Sequence, residues 1–266
     1  MSSVWLMYHD VYDGSPRPDL PTSATAYHVS RDSFTAQLLA IERSGHRVIT
    51  AAEFLAAPAS AGNSVVLTFD DGWIGAFEIA LPLLAERGWR ATVFVTRDFV
   101  GRHHFCGRDT LRAAAAAGTE IGVHGVTHRM LSACTPAEIV AEFRECKDYL
   151  EALLGQPVTH ASIPGGDKSP TVVSCARQAG MTLLANSRPG VNHAASSPFD
   201  LRRLAIKNST RVVDVERYCR FSVGRERAWW AALQLPRTIL GMKRYTRLRR
   251  AILGERGSSA AEVFDP

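Results

Sequence analysis

Short apolar runs alternate with stretches of helical period along most of the chain, and that alternation predicts its elements. Val4 to Tyr8 reads as a buried strand, and after the N-cap candidate Ser30 the positions Phe34, Leu38 and Ile41 repeat at helical spacing as far as Ser44. Val48 and Ile49 mark another strand, and Val65 to Phe69 a stronger one, followed by an apolar helix that runs to Arg87 and stops at Gly88. Ala91 to Val95 predicts a strand, Leu111 to Ala117 a helix ending at Gly118, and Ile121 to Val123 a strand. Thr135-Pro-Ala-Glu138 is a capping box with proline in the first turn, opening a helix to about Leu154. His160 to Ile163, Met181 to Ala185 and Leu204 to Ile206 complete the strands. Repeated β-then-α units favour an α/β fold, a parallel sheet with right-handed helical crossovers closed or partly closed as a barrel.

Length and composition narrow this picture. With 266 residues, 46% of them hydrophobic, the chain can bury one large core. No apolar run approaches the roughly 18 residues of a membrane-spanning helix. Five cysteines, Cys106, Cys134, Cys146, Cys175 and Cys219, are widely spaced with no C-x-x-C pair, which argues against a disulfide framework or a cysteine zinc site. The first ten residues carry no basic region and only a short apolar stretch, so no secretory signal is expected and a cytoplasmic location is.

The net charge of +5 divides unevenly. Between Arg217 and Arg256 lie 11 Lys or Arg against two acids, Glu226 and Glu255, leaving a body of about −4 and a tail of about +9. Met242, Tyr245, Leu248 and Ile252 fall on one helical stripe, with Lys243, Arg244, Arg247 and Arg250 mainly opposite, and Trp229, Trp230 and Leu233 precede them. The expected division is 1–210 as a catalytic barrel and 211–266 as a basic, partly amphipathic helical extension. Segment 217–256 suits an anionic or inner membrane surface, or packs on the barrel with its basic face solvated. No nucleic-acid partner is expected, because no reading motif accompanies the charge.

Chemistry concentrates at two strand ends. Thr68-Phe-Asp-Asp-Gly72 places two carboxylates together, each raising the pKa of the other unless a cation compensates. A bound metal resolves that conflict, although Asp and Gly also serve ordinary turns. His124-Gly-Val-Thr-His128 follows another strand, and its two imidazoles can converge on one ion if the segment is helical or tightly turned. Two imidazoles and a carboxylate, with positions left for water and substrate, suit zinc first and cobalt, nickel or iron as alternatives.

These residues resemble the first and second motifs of the polysaccharide deacetylases, carbohydrate esterase family 4, with Tyr8-His9-Asp10-Val11 and Pro164-Gly165-Gly166 in support. The resemblance spans about Val4 to Lys207 and implies a distorted (β/α) barrel, with a basic helical C-terminal extension beyond it and the site at the carboxyl ends of the strands. It further implies Asp71, His124 and His128 as metal ligands, Asp70 as general base, and the backbone amide of Gly165 as a donor to the tetrahedral oxyanion.

Two positions depart from the family pattern. Ser162 stands where an arginine usually supports the base, and Arg202 or Arg203 is the candidate replacement. The segment Arg203 to Lys207 lacks the usual late histidine acid. His9, at the end of the first strand, is the leading candidate for the acid, Lys207 the second and His193 a distant third; a structural histidine is the plainer reading of His9. Asp167 and His104 are candidate sugar contacts, with helix capping and an exposed loop as their respective alternatives.

The function these features imply is removal of an N-acetyl group from an amino sugar by a metal-dependent hydrolase, acting on a cytoplasmic biosynthetic intermediate such as a glycan, glycolipid or glycosylated metabolite. The alternatives are hydrolysis of another amide or cyclic imide, and a catalytically silent carbohydrate-binding protein that keeps the metal site.

Overall fold

The computed structural model describes residues 1–233 apart from 16, 18, 19, 21, 58, 59 and 61, so the amphipathic stripe expected at 242–252 lies outside the described residues. The strands are β1 (Ser2–Tyr8), β2 (Asp10–Tyr12), β3 (His28–Ser30), β4 (Arg47–Ile49), β5 (Ser64–Phe69), β6 (Thr92–Val95), β7 (Glu120–Val123), β8 (His160–Ser162), β9 (Leu183–Ala185), β10 (Val191–His193) and β11 (Leu204–Ala205). The helices are α1 (Thr22–Thr25), α2 (Arg31–Arg43), α3 (Ala51–Ala56), α4 (Leu81–Ala85), α5 (Arg108–Ala116), α6 (Pro136–Leu154), α7 (Pro170–Gln178) and α8 (Val212–Cys219).

The sheet runs β10-β1-β5-β6-β7-β8-β9 and is parallel except for β10. β4 pairs with the first half of β5 and β6 with its last residues, so the strands fan and the sheet curls. Residues 198–206 then join its two ends: Leu201 bridges to Ala185, and three residues on Leu204 pairs in parallel with Leu6 of β1. The architecture is the curled α/β barrel that the β-then-α pattern implies.

Period-two alternation sorts each strand into an outer and an inner row. Val65, Leu67 and Phe69 of β5, Val93 and Val95 of β6, and Ile121 and Val123 of β7 face outwards into the large core beneath the helices. Trp5, Val66, Phe94, Leu183, Ala185 and Leu201 fill the barrel interior together with Ile49 and Phe54. Gly122 must be glycine on this inner row, because a Cβ there would lie 2.6 Å from the Phe94 ring.

The caps behave as their residues dictate. Thr135 and Glu138 form the expected reciprocal box on α6, which ends at Gly155 in the left-handed region (φ 67°). The apolar helix expected before Gly88 is less regular, a π-turn at Ala76–Ala80 leading into α4. β2, β3 and β10 are additional strands of three residues each, too short for a periodic signal. Beyond position 210, α8 buries Val215, Tyr218 and Cys219 in the main core, so the chain stays integral to the barrel there. A helical stretch follows over residues 224–233.

Candidate active site

Inner-row positions at the carboxyl ends of β5, β7 and β8 bring Asp70, His124 and Ser162 to one place. Asp70 continues β5, its N–H donating to the Tyr8 carbonyl at 3.0 Å. The next residue leaves the strand, with Asp71 in the left-handed region (φ 75°) followed by Gly72 (φ 91°), and this turn swings the second carboxylate back towards the first. His124 continues β7, and the segment after it is a tight turn, not a helix; His128 also sits in the left-handed region (φ 61°). Convergence of the two imidazoles is achieved by that turn.

Glu142 of α6 ties the turn down. Its carboxylate accepts from the N–H groups of Val126 and Thr127 at 2.6 and 3.0 Å and from the Thr127 hydroxyl at 2.5 Å. Gly125 lets it approach, since a Cβ there would lie 2.9 Å from the Glu142 carboxylate.

Asp71 Oδ1 lies 3.3 Å from His124 Nε2 and 3.2 Å from His128 Nε2, and the three donor atoms fall within 4.8 Å of one another. Trp73 Nε1–H donates to Asp71 Oδ2 at 3.0 Å, leaving buried Oδ1 with no hydrogen bond and turned to the imidazoles. Such an orphaned acceptor between two nitrogens is what a cation would satisfy. His124 is oriented from behind, its Nδ1 2.5 Å from the Ser162 hydroxyl and 3.3 Å from the Ser162 carbonyl. Burial opposes ionisation of Asp71, yet His128 and His124 hold its carboxyl well below the usual range. Burial likewise opposes the charged form of His128, but the neighbouring Asp71 carboxylate raises its pKa.

Arg203 faces Asp70. Its guanidinium donates to both carboxylate oxygens, at 2.6 and 2.7 Å, and also to Thr68 Oγ1 at 3.2 Å and the Asn186 carbonyl at 3.1 Å. The arginine is fully buried (0% exposed) and lies over the Phe94 ring. Burial alone would raise the Asp70 pKa; Arg203 and then His124 outweigh it and keep the carboxyl below its ordinary value. Of the two candidate arginines, Arg203 is the one that meets Asp70, whereas Ser162 reaches the Asp70 carboxylate only at 3.4 Å. Arg202 points elsewhere, its N–H bonded to Asn192 and its side chain against Gly190.

The remaining candidates separate. His9 is at this rim, its ring 4.7 Å from that of Tyr27 and its buried Nδ1 unbonded; burial lowers its pKa, with Asp71 and Asp70 pulling the other way. The exposed Lys207 ammonium lies 5.0 Å from the centre of the same Tyr27 ring. His193 lies at the opposite end of the barrel, bonded to Ser2 at the start of β1, so it is too far along the strand to join the site. Gly165 is exposed with φ 66°, and a Cβ there would strike Met130. Asp167 is half-buried just beyond it, and α7 is capped by Ser169 instead. His104, on the loop after β6, has Nδ1 2.9 Å from Arg17, which is held in turn by Asp10.

The fold and donor set define an α/β barrel with a candidate divalent-metal centre at the carboxyl ends of its strands. A family model for polysaccharide deacetylase matches residues 58–184, which include Asp70, Asp71, His124, His128 and Gly165. That stretch of the chain is therefore similar to the polysaccharide deacetylases. Bacillus subtilis YxkH, assigned by name to the polysaccharide deacetylases, is 23% identical over 205 residues, covering 76% of this chain and 70% of that one. A Bradyrhizobium chitooligosaccharide deacetylase is 30% identical over 148 residues, 52% of this chain and 65% of the relative. Among solved structures, the Streptococcus pyogenes deacetylase PplD in complex with acetate superposes with a TM-score of 0.71 at 24% identity, covering 81% of this chain and 96% of that one. Ammonifex degensii IcaB superposes with a TM-score of 0.70 at 24% identity, covering 82% and 97%. At these identities the two structures establish the fold.

Proposed function

We propose that this protein is a metal-dependent N-deacetylase acting on an acetylated amino sugar. One observation carries the reading: Asp71, His124 and His128 converge with an unsatisfied carboxylate oxygen between them, beside a second carboxylate held ionised by a buried arginine. The two imidazole nitrogens and one carboxylate oxygen fit a divalent transition ion, zinc before cobalt, nickel or iron. Such an ion supplies Lewis acidity and lowers the pKa of water towards about 7.

Asp70 takes the proton of the attacking water; Arg203 fixes its orientation and keeps it deprotonated. The Gly165 amide stabilises the oxyanion, and His9 protonates the leaving amine, with Lys207 the alternative donor beside the same tyrosine. Asp167 and His104 contact the sugar. Arg203 supplies the cation that Ser162 cannot, which answers one of the two departures behind a silent carbohydrate-binding protein; the missing late histidine is the other, and His9 is assigned in its stead. We assign the substrate to a cytoplasmic biosynthetic intermediate, a setting supported by five unpaired cysteines, four of them buried.

Acetate release from N-acetylglucosamine oligomers by the metal-loaded protein tests the reading. Asp70→Asn should lower the rate by about 10²–10⁴-fold with metal content unchanged. His9→Ala should impair release more than Lys207→Ala, and the reverse order would move the acid to Lys207. No acetate release with any of the four metals, or an Asp70→Asn variant of full activity, would overturn it.

A further inference from the structure

The helical stretch over residues 224–233 has two unlike faces. On its inner side Glu226 accepts from Arg217 and the Tyr218 hydroxyl of α8, and four residues on Trp230 packs under the Arg188 guanidinium at 5.4 Å. Arg188 belongs to the catalytic rim, since its carbonyl accepts from the N–H of Arg203, the residue that holds Asp70. The helix is therefore pinned at its base to α8 and higher up to the rim.

Arg225, Trp229 and Leu233, each four residues apart, share the outer face. All three are exposed, Trp229 at 70% and Leu233 at 45%, far more than such apolar side chains need. Charge follows the same division. Glu226 is consumed on the inner side, while Arg225 and Arg227 are exposed, and the 33 residues after Leu233 add seven more Lys or Arg against three acids. The exposed Lys207 carries positive charge to the rim itself.

We propose that Arg225, Trp229 and Leu233 form the docking surface by which this protein lies on an anionic lipid bilayer. A tryptophan and a leucine beside arginines match the boundary between headgroups and acyl chains. The indole and isobutyl groups enter the boundary, and the guanidinium groups meet lipid phosphates. Duplex nucleic acid fits less well, because it offers charge but no apolar layer for Trp229 and Leu233. The surface is independent of the reaction proposed above.

Co-sedimentation of the full chain with vesicles tests it, comparing phosphatidylcholine alone with phosphatidylcholine mixed with phosphatidylglycerol. The protein should bind the anionic vesicles, release as salt rises, and leave the neutral ones in solution. Trp229→Ser with Leu233→Ser should weaken binding by at least about tenfold, and Arg225→Ala by a smaller factor. Both sites are exposed, so the thermal midpoint and the acetate-release rate on a soluble oligomer should match the parent. Failure to bind anionic vesicles, equal binding by the parent and the double variant, or tighter binding to duplex DNA than to vesicles would each overturn the proposal.

Discussion

The barrel holds a histidine–carboxylate cluster at each end, and the two differ in one respect. At the amino-terminal end of the strands, Glu120 is fully used: Oε1 meets His160 Nδ1 at 2.5 Å, and Oε2 accepts from the Ala52 N–H at 2.9 Å and the Thr92 hydroxyl at 3.1 Å. At the carboxyl end, Asp71 keeps one oxygen without a hydrogen bond between two imidazoles, and His128 Nδ1 and His9 Nδ1 are unbonded too. Burying polar atoms unbonded costs about 1–3 kcal/mol each, a cost a folded chain bears where something else completes the site. Residue type alone therefore does not mark a reactive site. A carboxylate oxygen left unsatisfied between two imidazoles does.

Breaking the reactive end should cost most. Arg203→Ala leaves the Asp70 carboxylate buried without its cation and should destabilise the fold by about 3–5 kcal/mol in chemical denaturation. Adding Asp70→Asn to that variant should restore much of the stability while the protein stays inactive; no recovery would mean that Arg203 acts by packing alone. Next in size, Ser162→Ala frees the His124 ring from behind and should lower metal affinity by roughly 10–100-fold, read by competition with a chelating dye. The smallest effect belongs to the satisfied end, where Glu120→Gln should cost about 1 kcal/mol of stability and leave acetate release unchanged.

The same substitution sharpens the comparison through pH. Burial works against the Glu120 charge, but His160 outweighs it and depresses the native pKa below 4.5. As pH falls, the unfolded chain binds the proton first. The contribution of Glu120 is therefore present above about pH 4.5 and lost as pH drops through the lower native value. Acid titrations of stability should show a shallower decline in Glu120→Gln than in the parent.

Much of the reactive end was legible in the sequence, because strand ends and adjacent carboxylates announce themselves. Asp70, Asp71, His124 and His128 follow apolar strands directly, and the structure brings the four together. Sequence reading left Arg202 and Arg203 undecided, although a signal was present: Leu204 and Ile206 face the outer core, so alternation turns Arg203 inwards. Two supports went unread. Glu142 stands on the buried stripe of α6 among Ile139, Phe143 and Cys146, where a carboxylate needs partners, and Trp73 lies two residues past Asp71. Neither carries a motif: Glu142 acts on the backbone of a turn that only the fold brings to α6, and the Trp73 indole reaches Asp71 only through the left-handed turn at Asp71 and Gly72. His193 shows the converse limit, because its place at the far end follows from β10 running antiparallel to β1.

The closing segment has a consequence for how the protein comes into being. Leu204 pairs with Leu6, almost the whole barrel earlier in the chain, and Arg203 sits beside that clasp. A polypeptide emerging from the ribosome would already hold Asp71, His124 and His128 long before residue 203 is made. During that interval the Asp70 carboxylate has no guanidinium to lie against. Contacts so distant in sequence form slowly. The last of the described strands thus brings Arg203 to the Asp70 carboxylate, and on the function proposed above the order of synthesis delays reactivity until the barrel has shut.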